Sequence, residues 1–83
     1  MREPRAVIDH ILAHRAARED EILAALARGP ATVADLVAAI YASVDPALHG
    51  AAGRNVLAHL VDLGERGMAT ADGPPAAARW RLA

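Results

Sequence analysis

A chain of 83 residues with a net charge of −1 and no cysteine has room for one small domain, and it excludes disulfide staples and cysteine-based zinc sites. A domain this size buries only about 60% of the surface of its unfolded chain, so the core is thin. The pI of 6.4 argues against a freestanding protein that relies on a basic face for nucleic acid.

Much of the 54% hydrophobic content is alanine, which contributes little burial. The core candidates are therefore Leu, Ile and Val, together with Tyr41, Met68 and Trp80. No apolar run approaches the ~20 residues of a membrane span. The N-terminal stretch MREPRAVIDH carries no uninterrupted apolar segment of the signal-peptide kind. A cytoplasmic location is the expectation, and the lack of cysteine fits a reducing compartment.

Pro4 suits a first helical turn, and nothing breaks the pattern until Gly29-Pro30, which predicts a long first helix over about residues 4–28. Its apolar stripe is Ile8, Ile11 and Leu12, then Ile22, Leu23 and Leu26. Arg15 and Glu19 project onto the middle of that stripe as an i,i+4 pair, with Arg first, the weaker orientation. The helix would span roughly 35 Å at 1.5 Å per residue. The domain should be only about 30 Å across. The helix is thus expected to overhang its own core, with Val7, Ile8, Ile11, Leu12, Arg15 and Glu19 marking a domain or dimer interface. His10 and His14 are also i,i+4, but a metal site needs three or four ligands and no third is evident.

Thr32, followed three residues later by Asp35, is an N-cap close to a capping box, and it starts a second helix over about 32–41. Leu36, Val37, Ile40 and Tyr41 are its buried face. Ala31-Thr32 is placed to donate a short strand to the wing. Asp45-Pro46 caps and begins a third helical region over 46–66: a short turn, then the helix from about Ala51. Leu48 is expected in the core. The stretch 54–67, RNVLAHLVDLGERG, places Val56, Leu57, Leu60 and Leu63 on one helical face. Arg54, Ala58, Asp62 and Glu65 fall on the other side. Gly67 can take the left-handed conformation that closes a helix. Two short strand-like runs follow within 68–82, separated by turn residues including Asp72, Gly73, Pro74 and Pro75. Three helices and then a hairpin predict a mainly α domain with a small β-hairpin. That order is a winged helix-turn-helix with a long first helix, filling residues 1–83.

No catalytic constellation is apparent. Thr32 and Ser43 sit at capping and turn positions without an adjacent base. His59 flanks the core face and reads as a packed, hydrogen-bonded residue. Catalytic, metal and cofactor residues are accordingly none for this chain, which is not expected to be an enzyme by itself. For nucleic acid, the N-terminal part of the third helix offers Arg54 and Asn55, residue types that contact guanine and adenine. Arg79 and Arg81 face outward from the wing, toward phosphates. Asp62 and Glu65 oppose them, so contact with nucleic acid is expected to be weak. Trp80 reads as the anchor of the wing on the core.

These residues resemble the winged-helix C-terminal domain of metallo-β-lactamase-fold hydrolases of the β-lactamase-like 2 group. The matching strings are His14-Arg15, Arg18-Glu19, Ile22-Leu23, Thr32, Leu36-Val37 and Ile40-Tyr41. They continue with Leu48-His49, Ala52, Asn55, Leu57, His59-Leu60, Leu63, Gly67 and Trp80, so that the resemblance runs from about Pro4 to Leu82. It implies a metal-dependent hydrolase as parent, with ribonuclease activity in part of the family and a dinuclear metal site in a catalytic domain. No His-x-His-x-Asp-His string stands in this chain, so the cofactors it carries are none. The expected function is an accessory module that packs on that catalytic domain in cis and helps shape its substrate surface. The alternative is a freestanding DNA-binding transcription regulator, a homodimer joined through the first helix.

Overall fold

The computed structural model describes residues 4–83, with side chains described from residue 13 onward. The element order is α1 (Pro4–Leu26), α2 (Val33–Ile40), a 3-10 turn (Pro46–Leu48), α3 (His49–Glu65), β1 (Ala69–Ala71) and β2 (Trp80–Leu82). Three helices and a two-stranded antiparallel hairpin are the architecture anticipated from the hydrophobic pattern.

Local chemistry sets most boundaries. Ahead of α2 the capping box is complete: the Asp35 N–H donates to the Thr32 hydroxyl at 3.1 Å, and the Thr32 N–H donates to the Asp35 carboxylate at 3.0 Å. The Asp45 carboxylate accepts from the Ala47 N–H at 2.9 Å and opens the 3-10 turn. That turn runs directly into α3, two residues before the expected start. The His49 ring fixes the junction, its Nε2 lying 3.2 Å and 3.1 Å from the carbonyls of Tyr41 and Val44. At the other end, Gly67 has φ +74°. Its N–H donates to Gly64 and that of Met68 to Leu63, the paired bonds of a Schellman ending.

The core contains Ile22 and Leu26 of α1, Leu36 and Val37 of α2, and Ala52, Val56, Leu60 and Leu63 of α3, closed by Ala69, Ala78 and Trp80 of the wing. In the hairpin, Ala69 pairs with Leu82, Thr70 with Arg81 and Ala71 with Trp80. The open side of β2 is taken by Ala31, which exchanges two backbone bonds with Trp80 at 2.9 and 2.8 Å, as the sequence led one to expect. The Trp80 indole N–H donates to the Pro75 carbonyl at 3.0 Å and so ties the wing tip to the strand.

Three expectations are corrected. Leu48 is not in the core but 58% exposed. The core ends at Ala52, the first buried residue of α3, and Leu48 lies one turn beyond it. Met68 and Leu82 are 39% and 41% exposed, because the hairpin leaves the core at its open end. Glu19 forms a short ion pair with Arg66, at 2.6 Å, rather than pairing with Arg15. The fold brings up a guanidinium from the end of α3, 47 positions away in the chain.

Candidate interaction surfaces

Along α1 the first buried side chain among the described residues is Ile22. Residues 13–17 are all exposed, and Arg18 and Glu19 are half-buried. The helix therefore leaves the core near Arg18 and continues N-terminally to Pro4 as backbone helix. The longest dimension of the molecule is 48 Å, against 31 and 21 Å for the other two. Of the expected interface, Arg15 is exposed and Glu19 is held by Arg66. The side chains of Val7, Ile8, Ile11 and Leu12 lie outside the described residues.

Where α1 passes α3 the two helices leave a groove of about 330 Å³, lined by Arg15, Ala16, Glu19, His59, Asp62 and Arg66. Arg66 is its hub, bonded to Glu19 at 2.6 Å and to Asp62 at 3.0 Å. The hydrogen bond it donates to Glu19, first, and then the charges of Asp62 and Glu19 hold the Arg66 guanidinium more firmly protonated than an isolated one. His59 is only 6% exposed. Burial, and next the charge of Arg15, lower its pKa below the ordinary histidine value, while Glu19 and Asp62 oppose the shift. His59 is packed as expected, but its ring makes no hydrogen bond among the described residues. No buried side-chain nitrogen or oxygen among them lacks a partner, so the unbonded ring nitrogens are not sealed from solvent, and His59 lines the groove.

The four residues weighed for nucleic acid are all exposed: Arg54 and Asn55 on α3, Arg79 and Arg81 on the wing. Arg79 lies within electrostatic reach of Asp35, whose pKa is lowered first by its hydrogen bonds from Thr32 and only lastly by Arg79. Asp62 turns toward Arg66 at the margin of α1, so the acid expected to oppose Arg54 is partly neutralised and Glu65 remains. The hydroxyl of Thr32 serves as a cap, and Ser43 is exposed in the loop after α2. Among the described residues no group of three His, Cys, Asp or Glu is placed to hold a metal ion. None of their helices is long and apolar enough to cross a membrane.

Two contributors escaped the sequence reading. Gly64 supplies the flat seat for the Trp80 ring, and an isolated glycine inside a helical pattern was the available signal. The Glu19–Arg66 pair had no local signal, because its partners meet only in the folded chain.

A family model described as β-lactamase associated winged helix domain matches residues 32–80, more than half of the chain. The match begins at the N-cap of α2 and ends in β2, so it spans the second and third helices and the wing and leaves α1 outside. No curated protein matches the chain.

Proposed function

The chain belongs to the β-lactamase associated winged helix domain family, and from that premise we propose that it is an accessory module of a metallo-β-lactamase-fold hydrolase. The module docks through α1 on the catalytic domain and extends that domain's substrate surface. The observation that carries this reading is the course of α1. Among the described residues its core anchors begin only at Ile22, residues 13–17 are exposed, and the family match starts after α1. A helix whose sequence is aliphatic in its N-terminal half, outside the matched residues 32–80, is suited to a neighbouring domain.

The dinuclear metal site of such a hydrolase does not fit the described residues. The two carboxylates nearest His59 are both engaged by Arg66, and no set of three ligands converges among the described residues. Metal chemistry belongs to the partner domain, and this chain contributes surface.

Reading the genomic frame upstream of Met1 tests the proposal. An in-frame β-lactamase-like domain with metal ligands supports it. An independent start at Met1, with no such domain encoded nearby, favours the second reading, a freestanding DNA-binding regulator dimerising through α1. That reading draws on one observation: the engagement of Asp62 by Arg66 removes part of the negative charge near Arg54 and Asn55.

A further inference from the structure

We propose that the groove between α1 and α3 is a receptor for a carboxylate carried by a protein partner, an Asp or Glu side chain of the domain that docks along α1. For the identity of that partner the proposal rests on the reading above.

Two donors line the groove, and no described residue pairs with either. The Arg15 guanidinium is exposed and makes no ion pair among the described residues. The other arginines near the groove are committed, Arg18 to Glu21 and to the face of the Tyr41 ring, Arg66 to Glu19 and Asp62. The second donor is His59, only 6% exposed and part of the groove lining, with a ring that makes no hydrogen bond among the described residues. A carboxylate has two oxygens and accepts from a guanidinium and an imidazole N–H together.

Charge balance selects an anion that brings a proton with it. Arg15 and Arg66 offset Glu19 and Asp62, so the groove is formally neutral while His59 is neutral. An entering carboxylate leaves one negative charge, which a proton taken up by the imidazole cancels. Glu19 and Asp62 each hold one carboxylate oxygen against the Arg66 guanidinium, which offsets part of their charge. The position of the groove also fits a docking partner. It lies where α1 leaves the core, and Arg15 and Ala16 belong both to its lining and to the exposed stretch of the helix. The space of about 330 Å³ admits one acidic side chain.

The test uses the 83-residue chain and two blocked amino acids, N-acetyl-glutamate amide and its neutral isostere N-acetyl-glutamine amide, followed by NMR at the His59 ring and the Arg side chains. The glutamate compound is expected to give saturable shifts at His59 and Arg15, with affinity about tenfold above the glutamine compound. Binding strengthens between about pH 7.5 and about pH 6, as proton uptake at an imidazole requires. Arg15→Gln weakens it about tenfold, Arg15→Lys keeps most of it, and Arg28→Gln, in the turn after α1, has no effect. Arg15 is exposed, so an unchanged amide spectrum certifies that its variants fold. Equal response to both compounds, or an Arg15→Gln chain that binds like the parent, overturns the receptor. Since no catalytic domain takes part, failure here leaves the docking reading standing, and failure of the upstream-frame test leaves the receptor standing.

Discussion

Gly64 and Trp80 meet face to face: a Cβ on Gly64 would stand 3.3 Å from Cζ3 of the indole and 3.6 Å from Cη2. The indole has little room to retreat, held at Nε1 by Pro75 and along its backbone by Ala31. Gly64→Ala therefore sets a helix-propensity gain of about 1 kcal/mol against a tight contact, and the net change in unfolding free energy is expected within about 1 kcal/mol of zero. Gly64→Leu overpacks the seat and should destabilise by about 1–3 kcal/mol in denaturant unfolding. A stable Leu variant would show that the wing does not depend on this contact.

Trp80 is the largest side chain in the core and closes the wing over it. Trp80→Ala is expected to cost about 3–5 kcal/mol. A loss under about 1 kcal/mol, measured the same way, would mean that the indole contributes little to holding the hairpin.

His59 makes the fold sensitive to acid. Its folded pKa lies below the ordinary value, first through burial and then through Arg15, with Arg18 adding and Glu19 and Asp62 opposing. Between those two pKa values the unfolded chain binds more protons than the folded one, so stability falls as pH drops below about 6.5. Thermal unfolding at stepped pH should show a lower melting temperature on the acid side. An NMR titration of the His59 ring with its midpoint at or above the ordinary value would contradict this.

The aliphatic residues of the overhanging arm should matter to association and not to folding. Ile8→Ser combined with Ile11→Ser is expected to leave the melting temperature of the isolated chain nearly unchanged. The same pair should abolish self-association or loosen docking to a catalytic domain, since each buried aliphatic contributes roughly 1.5–3 kcal/mol. Sedimentation and melting curves read the two effects separately. An unfolded double variant would place these residues in the domain's own core.

On duplex DNA the isolated chain is expected to bind weakly at physiological salt, with Kd no tighter than ~10⁻⁵ M, because its net charge is near zero and Glu65 shares the exposed side of α3 with Arg54. Fluorescence anisotropy decides it. Sub-micromolar, sequence-selective binding lost in Arg54→Ala would favour the regulator.

The sequence by itself determined the elements and their order. Thr32 with Asp35, Asp45-Pro46 and Gly67 mark helix ends by hydrogen bonds that close within a few residues, and the spacing of Val56, Leu60 and Leu63 marks a buried face by geometry alone. It also foresaw the pairing of Ala31 with the wing and the burial of Trp80. Only the tertiary structure decided that Leu48 is exposed, because where a thin core ends depends on how far α2 and α1 reach along α3. Only it decided that Glu19 and Asp62 converge on Arg66 and that His59 lines a groove beside Arg15. The Glu19–Arg66 contact joins α1 to the end of α3 across 47 positions, and helical periodicity carries no information about which charge on one helix will face which charge on another.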